Sequence, residues 1–154
     1  MISITTIMQD LQSTVQRSGH TISALVLRLF LAYEFAESGF IKLHGSNWFM
    51  DIQAEFPFPF LLLPVQLNWF LATGVELAGA LLLILGLATR STAIALFLLS
   101  LVAWYSVHAG YGYNICSNGY KMALIYCITL LPLILQGAGK LSMDHWLSGR
   151  KPIP

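Results

Sequence analysis

Four ionisable side chains, Arg28, Glu34, Glu37 and Lys42, fall inside one otherwise apolar stretch, LRLFLAYEFAESGFIKLHG, which is long enough to cross a bilayer. A charge at the bilayer centre costs about 2.5–3.5 kcal/mol on insertion scales, so such groups pair with one another, face a bundle interior or line a polar pathway. Outside this stretch the one acid within an apolar run is Glu76, in ATGVELAGALLLILGL. Helical rise puts Arg28 about 10 Å, Glu76 about 15 Å and Glu34 about 20 Å above the cytoplasmic edge. That bracketing predicts an Arg28–Glu76 ion pair, with Glu34 sharing the guanidinium fork whose bidentate geometry lysine cannot copy. At 100° per residue Glu37 points away from Arg28, toward outer-loop donors or Lys42. The cluster reads either as structural glue or as a proton or quinone site.

A second polar stretch, HAGYGYNICSNGYK, brings His108, Asn114, Cys116, Asn118 and Lys121 together with three tyrosines. Asn118-Gly119 is a turn signal. With His44 these are the outer-side candidates. Thiolate and imidazole suit Cu(I) or Zn, so His44, His108 and Cys116 are the candidate ligands should a metal bind. Their spacing matches no known cluster, and single histidines at span ends are more often hydrogen-bonding groups, so no metal site is expected. Cys127 lies about 9 Å into the last span, whereas bonded cysteines have Cα atoms within about 7 Å. Two free thiols are expected.

The elements that must position these groups follow from composition. The chain has 154 residues, 56% hydrophobic and 10% charged, where soluble domains carry about 25% charged residues. Four apolar runs, at 22–43, 67–87, 92–109 and 122–136, predict an all-α integral membrane four-helix bundle, with 1–154 as its single domain. No signal peptide is expected, because an amphipathic stretch precedes the first run and no small-residue cleavage site follows its acidic centre. The partner implied is the lipid bilayer. A net charge of +1 gives no footing for nucleic acid. Arg17, Arg90, Lys140, Arg150 and Lys151 fall on one side, and Lys42 and Lys121 on the other. The positive-inside rule then puts both termini in the cytoplasm and predicts a multi-pass protein, N-in and C-in, whose outer loops would face the periplasm were this the inner membrane of a Gram-negative cell.

The connecting segments carry their own signals. Ile4, Ile7, Met8, Leu11 and Val15 recur at helical spacing, predicting an amphipathic helix over 1–18 that lies on the inner surface. After Ser46, a plausible N-cap, Trp48, Phe49 and Ile52 form an apolar stripe at the outer interface. Pro57 and Pro59 forbid regular helix there and leave an extended wedge of Phe56, Phe58 and Phe60. Gly74, Ala78 and Gly79 allow close helix approach around Glu76. Pro132 should kink the last span, and Ser142 should cap a short surface helix containing Trp146.

The charged first span ending in KLHG, the FPFP outer loop, ELAGALLLILGLATR, the outer NGY and the ending GAGKLSMDHWL together resemble the DoxX family of small four-span membrane proteins. More narrowly, YEFAESGFIKLHGSNWF and IQAEFPFPF are similar to the members encoded beside bacterial genes for copper-responsive modified peptides. That family often places an aromatic and an acid after the outer glycine; here Tyr120 and Lys121 stand there. The resemblance implies one of two roles. One is a membrane partner or subunit in a stress-response, peptide-maturation or redox assembly, with a membrane or periplasmic protein as partner; the other is a quinone-linked oxidoreductase subunit. Transport of a small solute or metal is a third, weaker alternative. No CxxC, dinucleotide fingerprint or haem-type histidine pair is present. A non-catalytic subunit is therefore favoured over a self-sufficient enzyme, no resident cofactor is evident, and quinone is the one the redox reading would use. The sequence leaves open whether the bundle is monomeric or homo-oligomeric.

Overall fold

The computed structural model describes residues 4–149, with side chains from Thr21 onward. The described residues form helices and turns with no strand: α1 (Ile4–His44), α2 (Val65–Leu85), α3 (Thr89–Ala103), α4 (Lys121–Gln136) and a short α5 (Met143–Ser148). α1 packs on α2, α2 on α3, α3 on α4, and α4 back on α1, which closes a four-helix ring. Two helical stretches, Val65–Leu85 and Thr89–Tyr111, are long and apolar enough to cross a membrane; α4 is apolar but shorter.

No proline stands between residues 4 and 44, and α1 runs unbroken through Gly19 and Gly39 for 41 residues. The separate surface helix expected over 1–18 is therefore corrected: from Ile4 on, that backbone is the first part of α1. Residues 1–3, and the side chains of the expected apolar face, lie outside what the structure describes.

The inward face of α1 follows a seven-residue repeat: Arg28, Leu31, Ala32 and Phe35 are all buried, and Ser38, Gly39 and Lys42 continue the stripe toward the outer end. Leu31, Phe35, Leu83, Leu96, Leu130 and Leu133 join in one core to which all four long helices contribute. Glycines set how near the helices come. A Cβ on Gly39 would stand 2.8 Å from Leu77, and one on Gly79 would stand 2.9 Å from Leu96, so the α1/α2 and α2/α3 crossings both need the missing side chain.

α2 ends at Gly86, whose φ of +65° suits glycine; Leu87 N–H donates back to Leu82 O at 3.0 Å. α3 starts three residues on, at Thr89, and its first amides are capped from far along the chain. Ala88 and Thr89 N–H donate to the two carboxylate oxygens of Asp144 at 2.7 and 2.8 Å, an acid at a helix N-terminus. As expected, Ser142 caps α5, accepting from His145 N–H at 3.2 Å.

The opposite end is closed by aromatics. Asn47, rather than the expected Ser46, accepts from Phe49 N–H at 3.1 Å, and the apolar stripe is carried by two tight 3₁₀ turns (Trp48–Asp51 and Gln53–Glu55). Phe49 stands edge-on to Phe56 and Trp69, with centroids 5.1 and 5.0 Å apart. Of the proline-set wedge, Phe56 is buried, Phe60 is half-buried against the same cluster and Phe58 is exposed. The wedge thus seals the bundle through two of its three phenylalanines.

Candidate functional site

Between the four helices, under the aromatic seal, lies a cavity of about 740 Å³. Its walls are mostly apolar, from Leu71, Val75, Leu98, Leu99 and Met122 among others, while its polar groups come chiefly from the inner stripe of α1 and what that stripe touches. A cavity of this size with a few convergent polar groups has the character of a small-molecule site.

Lys42 is the centre of that polar face. Its ammonium donates to Glu76 Oε1 and Oε2 at 2.8 and 2.9 Å and to Ser38 Oγ at 2.8 Å. Ser38 Oγ–H in turn donates to Glu76 Oε1 at 3.1 Å. The Lys42 and Glu76 side chains are 12% and 8% exposed, so this ion pair is shielded from water on both sides. Nearby, the Tyr126 hydroxyl donates to Glu34 Oε2 at 2.6 Å, linking α4 to α1. Asn68, on the first turns of α2, donates its amide to Phe60 O at 2.8 Å, while its buried Oδ1 has no partner. A buried amide oxygen left alone is costly unless something else donates to it. At the outer end the helix of α3 widens into one π turn, Trp104–His108, a local insertion often found at functional positions. That turn brings Val107 and His108 to the cavity wall, and His108 Nδ1 is 2.7 Å from Asn118 O.

The expected Arg28–Glu76 pair is not formed. Arg28 is 1% exposed and donates only to backbone carbonyls: Leu83 O and Ile84 O at 2.8 and 2.9 Å, and Ala138 O and Leu141 O at 2.8 Å each. Leu83 and Ile84 lie in the last turn of α2, where carbonyls lose their helical partners and where the helix dipole favours a cation. The guanidinium is thus held by backbone dipoles, with the Asp144 carboxylate as a further negative charge acting on it, at the end of the bundle opposite Lys42. Glu34 belongs with Tyr126, not with the guanidinium. Glu37 is exposed, and Lys42, one of the two partners expected for it, is taken by Glu76.

The outer-side candidates are scattered: Lys42 and His44 end α1, His108 closes the π turn, Asn114, Cys116 and Asn118 lie in the loop that follows, and Lys121 opens α4. Lys121 lies over the Tyr113 ring at 5.3 Å, and Asn114 Oδ1 accepts from Ser117 N–H at 2.8 Å. Asn118 adopts the left-handed conformation its Asn-Gly signal indicated. His44 Nδ1 is 3.0 Å from Phe40 O within its own helix. Among the described residues no three His, Cys, Asp or Glu side chains stand together as a metal site requires, so His44, His108 and Cys116 are not brought into one group. Cys116 and Cys127 are free thiols, one exposed and one buried, as expected from their separation.

Ser38, Asn68 and Tyr126 were not anticipated as site residues. The Ser38 signal was present, since Ser38 and Lys42 are four apart on one helical face. No local signal marked Asn68 or Tyr126, which meet α1 only through the fold.

No solved structure matches this chain. An uncharacterized protein of Haemophilus influenzae (strain ATCC 51907 / DSM 11121 / KW20 / Rd) is 57% identical over 130 residues, covering 84% of this chain and 86% of that protein. A second uncharacterized protein of the same strain is 31% identical over 133 residues, covering 77% and 86%. The family model described as DoxX matches residues 23–109, which hold α2, α3, the aromatic seal and all of the Lys42–Ser38–Glu76 group. The chain therefore belongs to the DoxX family.

Proposed function

We propose that the chain is a multi-pass subunit of a redox assembly in the bacterial inner membrane, with both termini in the cytoplasm, and that its cavity holds the head of a quinone. The DoxX family is membrane-associated, and two helical stretches here have the length and apolarity to span. Arg90 and Lys140 sit at the end of the bundle that carries the α2/α3 turn, and the positive-inside rule makes that end cytoplasmic. Cys116, exposed in the loop at the other end, is then expected to react with a membrane-impermeant maleimide added outside spheroplasts. Labelling only after the cells are lysed would reverse the orientation.

The observation that carries the ligand reading is the composition of the cavity: apolar walls, one donor-rich face and one buried acceptor without a partner. The residues fit a quinone in both redox states. Lys42 would exchange its bond to Ser38 Oγ for one to a head-group carbonyl, keeping its pair with Glu76, and Asn68 Oδ1 would accept from a head-group hydroxyl. Tyr126 and Glu34 share a proton-bearing hydrogen bond at the same wall. A quinone would supply coupled electron and proton carriage, with the electrons coming from a protein partner. Binding of a decyl-tailed benzoquinone to the protein in nanodiscs, followed by quenching of the intrinsic tryptophans, tests the reading. Asn68→Leu is expected to weaken binding about tenfold, the worth of one buried hydrogen bond. No quenching by wild-type protein at saturating quinone would refute the assignment.

A further inference from the structure

The cavity's exposed lining residues within the four long helices are Leu71 on α2 and Ala95 and Leu98 on α3; none is on α1 or α4. Leu71 and Leu98 are 44% and 56% exposed. These positions lie about 10–22 Å above the α2/α3 turn by helical rise, within the apolar body of the bundle. The remaining exposed lining residues, Trp48 and Asn118, are at the outer end. The α1/α4 side is instead tied by the Tyr126–Glu34 bond and the Phe35–Tyr126 ring contact, with centroids 5.5 Å apart.

We infer that the gap between α2 and α3 is a lateral portal to the lipid, through which an amphipath with a long apolar tail enters, its head stopping at Lys42, Glu76 and Glu34 while its tail remains between Leu71 and Leu98. This rests on the ligand reading above and adds to it the direction of entry and the tail. A polar solute in water would meet an apolar slot with nothing to replace its hydration. A lipid-dissolved tail loses no apolar contact on passing from the acyl chains into a leucine-lined slot.

The test measures the association rate of decyl-tailed benzoquinone with protein in nanodiscs, by stopped-flow quenching of tryptophan fluorescence. Leu98→Trp and Leu71→Trp narrow the slot from opposite sides; both positions are already exposed, so the added bulk has room to turn toward lipid, and either variant serves if the other fails to fold. Ile128→Trp, on the exposed face of α4 and not part of the cavity wall, is the control. The portal predicts association slowed about tenfold or more in Leu98→Trp and Leu71→Trp and unchanged in Ile128→Trp. Wild-type rates in both portal variants, or equal slowing in Ile128→Trp, would overturn the portal and leave quinone binding standing. Failure of the wild-type protein to bind the quinone at all would instead remove the ligand reading, and the portal with it.

Discussion

Arg28→Met is expected to be the most damaging single substitution in the chain, lowering stability on the order of 5 kcal/mol, beyond the usual range for point changes. The reason lies in what the guanidinium holds together. Two of its hydrogen bonds go to the end of α2 and two to the segment after α4, from a residue on α1. Hydrogen bonds from a charged donor contribute about 1.5–3 kcal/mol each, and buried acceptors left behind cost about 1–3 kcal/mol each. Leu83 O keeps a partner in Gly86 N–H at 3.2 Å, which limits the loss there.

Arg28→Lys keeps the charge but not the fork. One ammonium has three donors in a single tetrahedral head and cannot serve two carbonyls on each of two segments, so about half the loss of Arg28→Met is expected. Thermal unfolding in detergent measures both. Hydrogen exchange adds a local readout, because the segment after α4 also brings Asp144 to cap α3. In Arg28→Lys the Ala88 and Thr89 amides should exchange faster before the bundle opens. An Arg28→Lys protein with the wild-type midpoint and protected caps would show that the four carbonyls are held by other means.

The helical elements were legible in the sequence because hydrophobic length and turn residues fix them locally. The runs at 67–87 and 122–136 correspond to α2 and α4, shifted by a residue or two, and Ser142 marked the cap of α5. The partners of the buried charges were not legible, for a physical reason. A charge was expected to seek a charge, whereas the carbonyls that take up Arg28 belong to a helix end and an irregular segment, and any residue type can supply a carbonyl. Depth along the span was also a poor guide. Arg28 and Lys42 are two heptads apart on one stripe, so both had to face inward at opposite ends of the bundle. That spacing could have separated them into two sites, each with its own partner. The N-terminal stretch misled in another way: its amphipathic pattern and the Ser18-Gly19 break suggested a separate surface element, but no proline stands between it and the first span, and the helix continues through the glycine.

Lys42 and Glu76 are expected to show strong coupling in a double-substitution cycle. With Lys42 replaced by Met, the Glu76 carboxylate keeps only the Ser38 hydroxyl; with Glu76 replaced by Leu, the Lys42 ammonium keeps only the same hydroxyl. Removing one member of a buried pair costs about 3–5 kcal/mol, chiefly because the other charge stays behind without compensation. Replacing both by apolar residues of similar volume removes that penalty, so the double variant should be more stable than either single one in detergent unfolding. Losses that simply add would mean the two groups do not meet. The same cycle separates structure from function. If the pair served only to join α1 to α2, the stable double variant would bind decyl-tailed benzoquinone as wild-type protein does. With the head group seated on the Lys42 ammonium, the double variant should be folded and yet bind at least about tenfold more weakly, since it lacks a charge-assisted donor at the cavity's polar face.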